Sequence, residues 1–204
     1  MPKLKLSYFD FHGGRGEPAR LALHIADVAF EDHRVRGPEF RELKPELPYG
    51  SLPVLEIDGI IVAQSTAINR LVGRLTGLYP DDLVQGALCD EAMEAVEDAR
   101  HLLGPSFSMR DDEKKAAREA LADGALRNHL GCLQARLAQR GGKYFADQRL
   151  TIADLSVFVL TRYITSGTLD HIPTDLPERA APLLLEHHDA VKSHPKIAAY
   201  YASR

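Results

Sequence analysis

Hydrophobic positions recur with two different periods along this chain, and the change from one to the other divides it. Residues 3–9 alternate, with Leu4, Leu6 and Tyr8 on one face and Lys3, Lys5 and Ser7 on the other, which predicts a strand. Gly13, Gly14 and Gly16 then form a turn, Pro18 suits a first helical turn, and Leu21, Ile25 and Val28 give the following helix an apolar stripe. A weaker alternation over residues 30–35 predicts a second strand, and Phe40, Leu43 and Leu47 are spaced for a short helix. Residues 54–57 and 60–62 are apolar and flank Asp58-Gly59, a pair suited to the two positive φ angles of a type I′ hairpin turn. Ala67, Ile68, Leu71, Val72 and Leu75 mark a further helix, with Gly77 placed to end it. The order β-α-β-α-β-β-α predicts an α/β unit with a mixed four-stranded sheet, its parallel crossover first and a hairpin at its edge.

Beyond Asp81 only the helical period remains. Val84, Leu88, Ala92, Val96, Ala99 and Leu103 mark a long helix, and Leu126, Leu130, Leu133 and Leu137 mark another that ends at Gly141-Gly142. Residues 150–163 are apolar almost all round, as expected of a helix at the centre of a bundle, and Pro177, Pro182 and Pro195 punctuate the rest. The pattern divides the chain into an α/β domain over residues 1–79 and an all-helical domain over 82–204.

Composition narrows the class. The chain has 204 residues, 45% of them apolar, with 25 Lys+Arg against 29 Asp+Glu and a net charge of −4. That balance offers no basic patch for nucleic acid, and no apolar run reaches the roughly 18 residues that span a bilayer. The first residues, MPKLKLSYF, lack the apolar core of a secretory signal, so a cytoplasmic setting is expected. Cys89 and Cys132, the only cysteines, form neither a disulfide framework nor a CxxC pair, and no His and Cys stand at metal-ligand spacing.

Several residues could carry chemistry. Tyr8 closes the first strand just before the glycine turn, where open α/β sheets bind ligands; its phenol is either a hydrogen-bond donor to an anion or a core residue. Pro53 precedes the third strand. A cis bond there would free the backbone of Leu52 to pair with an extended ligand, whereas a trans bond would make it an ordinary turn proline. Gln64-Ser65 precedes a helix, and Ser65 can cap it or help hold a carboxylate at its N-terminus. Arg15 and Lys44 are cations near these turns. Asp90, Glu94, Glu97 and Asp98 share one face of the long helix. This acidic stripe fits a solvated face, a ligand amino group, a divalent ion or a partner's basic residues. Thr151-Ile152-Ala153-Asp154, between Leu150 and Leu155, has the form of a capping box with a hydrophobic staple, a folding device.

Together Tyr8-Phe9, Gly14-Arg15-Gly16-Glu17, Leu52-Pro53-Val54-Leu55, Asp58-Gly59, Gln64-Ser65 with Ala67-Ile68, the 151–154 box and Pro195 to Tyr200 resemble the cytosolic glutathione S-transferase family. The sigma class, which includes glutathione-dependent prostaglandin D synthases, is most similar. The resemblance implies a thioredoxin-like domain followed by a helical one, a homodimer, and glutathione as cosubstrate for a small hydrophobic electrophile. In that pattern Tyr8 bonds the glutathione sulfur and Arg15 lies near it. Leu52 pairs with the cysteinyl unit across a cis Leu52-Pro53 bond, Gln64 and Ser65 hold the γ-glutamyl end, and Lys44 faces the glycyl carboxylate. Asp98 aligns with an aspartate that reaches across to the other subunit's glutathione. Glu94 and Glu97 align with acids at an intersubunit divalent-ion site in the vertebrate synthases.

The chain departs from the family at three points. Its first turn is one residue longer. Phe40 stands where the family has a tryptophan that donates to the glycyl carboxylate, which predicts weaker glutathione binding. With no Trp anywhere, the acceptor pocket lacks the synthases' tryptophan, which speaks against a specific prostaglandin activity. That pocket is expected from the 9–12 turn together with Leu103, Phe107 and Met109. Conjugation is the leading expectation. The alternatives are a glutathione-dependent isomerase, in which the thiolate adds and then leaves, and a non-catalytic ligand-binding protein on the same scaffold. A thiol of ordinary pKa near ~8.5 must be lowered by about two units to react at neutral pH, roughly 2.7 kcal/mol, which a charge-assisted hydrogen bond can supply.

Overall fold

A computed structural model describes residues 2–203. Strand β1 (Leu4–Phe9) leads through the glycine turn into helix α1 (Glu17–Ile25), β2 (Glu31–Val35) and α2 (Gly37–Leu43), which tightens into a 3₁₀ turn at Lys44–Glu46. Strands β3 (Val54–Ile57) and β4 (Ile60–Ala63) and helix α3 (Ser65–Leu75) complete a thioredoxin-like α/β unit. The sheet order is β2-β1-β3-β4, with β1 parallel to β2 and antiparallel to β3. Asp58 and Gly59 both have positive φ, 48° and 85°, as a type I′ turn requires. Gly77, at φ 70°, ends α3: its N–H bonds the Arg74 carbonyl and the Leu78 N–H bonds that of Gly73.

The helical portion comprises α4 (Leu83–Leu103), a 3₁₀ turn (Gly104–Ser108), α5 (Asp111–Asp123), α6 (Ala125–Gln139), α7 (Ile152–Thr165), α8 (Leu176–Ala180), α9 (Pro182–Lys192) and α10 (Pro195–Ala202). Helix α5 has no counterpart in the sequence reading, because its first two turns are charged and its apolar stripe is short. Helix α7 is the buried centre. One hydrophobic core runs from Leu4 and Leu6 of β1 through α1 and α3 into α4, α6 and α7. The connection between α3 and α4 is bound to the start of α7: Ile152 N–H donates to the Leu78 carbonyl and Arg149 to the carbonyls of Gly77 and Tyr79.

The 151–154 box does more than cap a helix. Asp154 is fully buried, and its Oδ2 accepts from the Thr151 N–H at 2.8 Å and the Thr151 hydroxyl at 2.7 Å. Its Oδ1 accepts from the Phe145 N–H at 2.9 Å and lies 3.1 Å from His187 Nε2. His187 is buried too, so it serves packing rather than the surface. Removing the carboxylate strands at least one buried N–H and a helix cap. Asp154→Ala should therefore cost about 2–5 kcal/mol, read as a lowered urea midpoint. A loss under ~1 kcal/mol would contradict this role.

Candidate active site

The site forms where the carboxyl end of β1 meets α4. Tyr8 is buried, and it packs so closely against the glycine turn that a Cβ on Gly16 would fall within 3.0 Å of its ring and one on Gly14 within 3.0 Å of its hydroxyl. The Arg15 backbone N–H donates to the Tyr8 oxygen at 2.9 Å, leaving the phenolic hydrogen free to donate elsewhere. Burial raises the pKa of this phenol, partly offset by the Arg15 N–H and by the charges of Arg100, Arg15 and Arg20. Tyr8 is thus a neutral donor at physiological pH. Arg20, fully buried, holds the turn from beneath, donating to the carbonyls of Phe11 and Phe9 while its Nε bonds Asp32 at 2.8 Å.

Above the turn stands an ion cluster that the sequence does not announce. Glu97 of α4 accepts from Arg15 Nε at 2.7 Å and from Arg100 Nη1 at 2.6 Å, and Arg100 Nη2 reaches the Gly14 carbonyl at 3.1 Å. Burial pushes the Glu97 pKa up, but Arg100 and Arg15 outweigh it and hold the carboxyl below its ordinary value of 4.5. Burial lowers the pKa of Arg100, with Glu97 opposing. Two guanidinium groups share one carboxylate, so a net positive charge sits beside the Tyr8 hydroxyl.

Two clefts meet at this cluster. The first, about 410 Å³, is lined by Leu52 and Pro53, by Gln64, Ser65 and Thr66 at the start of α3, and by Arg15, Glu94 and Glu97. The Leu52-Pro53 bond is cis, and the backbone N–H and C=O of Leu52 have no partner among the described residues. The expected N-cap falls one residue earlier than Ser65. Gln64 occupies it at φ 72°, without a side-chain cap, and Ser65 is the first helical residue. The side chain therefore leaves the first N–H groups of α3 open towards the cleft, the usual arrangement for an anion. The second cleft, about 360 Å³, is apolar and lined by Tyr8, Phe11, Leu103, Phe107 and Tyr163, with Arg15 and Arg100 at its inner end. Met109 lies outside it, facing a different groove.

The structure therefore brings together Tyr8, Arg15, Leu52, Pro53, Gln64 and Ser65. It places Phe40, Lys44 and Asp98 outside the cleft linings. Phe40 packs edge-on against Phe9 at 5.0 Å, and Lys44 and Asp98 are exposed. The acidic stripe divides: Asp90 pairs with Arg70, Glu97 with its two arginines, Glu91 beside them with Arg136 and Arg140, and Glu94 lines the polar cleft with Glu97. Among the described residues no three His, Cys, Asp or Glu side chains gather as a metal site. Cys89 is buried with its thiol pushed up to about 11 by desolvation, and neither cysteine lines either cleft. The reading from sequence missed Arg20 and Arg100. Arg20 carries a signal, a cation set among Ala19, Leu21, Ala22 and Leu23 on a buried run.

Glu97 is stabilised in the folded state by its arginines, so its contribution is full above pH 4.5 and is lost as pH falls through its lowered folded-state pKa. Glu97→Gln removes this, leaving Arg100 without its counter-charge. The variant should be less stable by about 3 kcal/mol at pH 7, with the difference narrowing below pH ~4. Urea titrations at both pH values test it, and a pH-independent difference would contradict it.

Comparison with known proteins agrees with this geometry. Residues 4–74 match the family model for the glutathione S-transferase N-terminal domain, and residues 97–204 match that for a glutathione S-transferase C-terminal domain. Glutathione S-transferase 1 of Ascaris suum is 38% identical over 161 residues, covering 77% of this chain and 78% of that one. Hematopoietic prostaglandin D synthase of Gallus gallus is 34% identical, covering 100% of this chain and 98% of its own. Among solved structures, prostaglandin synthase D of Nilaparvata lugens superimposes with a TM-score of 0.88 at 30% identity, covering 100% of this chain and 98% of that chain. A sigma class glutathione S-transferase of Fasciola hepatica gives 0.85 at 28% identity, with 100% and 97% covered.

Proposed function

The chain belongs to the glutathione S-transferase family, and on that premise we propose how its two clefts divide the work. It is a transferase that uses glutathione as cosubstrate and joins its sulfur to small hydrophobic electrophiles. The polar cleft holds the tripeptide. Its γ-glutamyl carboxylate lies on the open N–H groups of α3, with Ser65 and Gln64 beside it, and its cysteinyl amide pairs with the backbone of Leu52 next to Pro53. Lys44 approaches the glycyl end, and Phe40 contributes only apolar contact there, without a donor.

One observation carries the chemistry: Tyr8 is a buried phenol whose oxygen already accepts from Arg15 N–H, so its own hydrogen is free to donate to the sulfur. The thiol loses its proton, the thiolate keeps the Tyr8 hydrogen bond and feels the positive Arg15–Glu97–Arg100 cluster, and the sulfur attacks the acceptor's electrophilic carbon in the apolar cleft. In a substitution the leaving group departs with the bonding pair; in an addition the neighbouring carbon takes a proton. Tyr8 and Arg15 are the catalytic residues in this reading.

The resemblance also supports a homodimer in the cytoplasm, with domains over 1–79 and 82–204. Asp98, exposed on α4, is then available to a second subunit's glutathione. An isomerase reaction shares every step up to the adduct and differs in returning glutathione unconsumed.

Tyr8→Phe should raise the apparent pKa of turnover by about one to two units, cutting the rate at pH 6.5 roughly tenfold or more while the two enzymes converge near pH 9. A pH–rate profile with 1-chloro-2,4-dinitrobenzene checks this, and an unchanged profile would remove Tyr8 from the mechanism. Counting glutathione consumed per product separates conjugation, at one to one, from isomerisation, at none.

A further inference from the structure

The apolar cleft does not stop at Tyr163. A further groove of about 350 Å³ opens on the other side of Phe11 and Tyr163, which line both. The two spaces adjoin at those two rings, and a chain that crosses them reaches from one into the other. Their chemistry differs. The second space is walled by Val159 and His12 and carries Arg162, Ser166 and Thr168, with no carboxylate in its lining.

Arg162 is the unusual member. Most arginines around the site are committed: Arg15, Arg20, Arg34 and Arg100 all bond carboxylates. The Arg162 guanidinium forms no ion pair and no hydrogen bond among the described residues, although its backbone carbonyl accepts from the Thr165 hydroxyl. That guanidinium lies 4.3 Å from the centre of the Tyr201 ring, which fixes it without using its N–H donors. Glu17, a buried carboxylate, faces Arg20 and His12, each at 3.5 Å. A held cation with free planar donors, in a half-enclosed groove without competing acids, suits a carboxylate.

We propose that this second space is an anion subsite of the acceptor channel, so that the preferred acceptors are elongated electrophiles with a carboxylate at the end remote from the reacting carbon. The class is that of unsaturated aldehydes or ketones on a fatty-acid chain. The electrophilic carbon lies by Tyr8, the chain passes Phe11 and Tyr163, and the carboxylate meets Arg162 with Thr168 beside it. The sulfur bonds to the β-carbon, the C=C pair moves to the α-carbon, and that carbon takes the proton the thiol released. This rests on the transferase reading for its chemistry, although the subsite can be tested without turnover.

The test compares trans-2-decenal with its ω-carboxylate analogue, in which a carboxylate stands where the terminal methyl was. The native enzyme should favour the carboxylate in kcat/KM by ~2- to 5-fold, the size expected of a partly exposed charge pair. Arg162→Gln should bring the two acceptors level while leaving turnover of 1-chloro-2,4-dinitrobenzene unchanged, and Arg162→Lys should keep part of the preference. Equal losses on all three acceptors, or no preference in the native enzyme, overturn the proposal. Calorimetric titration with decanoate and decanol reads the subsite separately: decanoate should bind more tightly in native protein and not in Arg162→Gln. If no acceptor is turned over yet that difference persists, the transferase reading fails and the subsite stands. If the two ligands bind alike in native protein, the subsite fails whatever the activity.

Discussion

One carboxylate joins the two halves of this molecule at the point where its chemistry has to occur. Glu97 belongs to α4, whereas Arg15 belongs to the glycine turn after β1, and Arg100 returns from α4 to the carbonyl of Gly14. The loop that supports Tyr8 is thus held from above by the helical half and from beneath by Arg20. Neither hold would suffice alone. A seven-residue connection rich in glycine has many conformations, and few of them put the Arg15 N–H on the Tyr8 oxygen. The glycines permit that conformation, since the Tyr8 ring occupies the space their side chains would need.

The same cluster sets the electrostatics. A single cation beside a thiolate in a partly dry cleft would be costly to bury, and a neutral ion pair would contribute little field. Two guanidinium groups around one carboxylate resolve this: each charge has a partner, yet one positive charge remains uncompensated. Burial raises the pKa of the neighbouring phenol and so keeps its proton in place. A protonated phenol and a residual positive charge act in the same direction on a sulfur, because both favour its anionic form over its neutral one.

Much of this was legible in the amino-acid sequence, and the parts that were not share a physical cause. Strands and helices with an apolar stripe showed themselves, as did Asp58-Gly59 and Gly77, because the backbone geometry there allows few other residues. Helix α5 did not, since a run such as Asp111-Asp112-Glu113-Lys114-Lys115 has no period to read. Glu97 and Arg100 are three apart on a helix, the spacing of an ordinary solvated pair, and only the packing of α4 over the turn makes them partners of Arg15. Read as a stripe, Asp90, Glu94, Glu97 and Asp98 suggest one site. In the fold the stripe divides, because a 21-residue helix passes several elements along its length: Asp90 meets Arg70, Asp98 is exposed, and only Glu94 and Glu97 line the polar cleft. Ser65 has the right side chain for a cap, but the chain enters α3 one residue earlier, through the left-handed conformation of Gln64. A positive φ at a glutamine costs about 1–3 kcal/mol, and such a cost is kept where the position of a side chain matters. Here it sets Gln64, Ser65 and Thr66 along one wall of the polar cleft.

The missing tryptophan shifts the balance between the two clefts. Phe40 fills apolar space against Phe9 and offers no donor, so in the proposed binding mode the tripeptide relies on its γ-glutamyl and cysteinyl ends. The acceptor side has no indole either, and its walls are Phe11, Phe107 and Tyr163. Phe107 is largely exposed, on a 3₁₀ turn held by Arg118, whose guanidinium lies 4.9 Å from the ring and bonds Ser106. Smaller rings on such a support leave a wider channel than a buried indole would. An acceptor in it is held by area and by whatever charged group meets it at the far end, and less by shape around the reacting carbon. A channel of that kind selects for the length and end group of a molecule. In the proposed mechanism the thiolate is held by Tyr8 and the arginine cluster, and needs only that an electrophilic carbon be delivered to it.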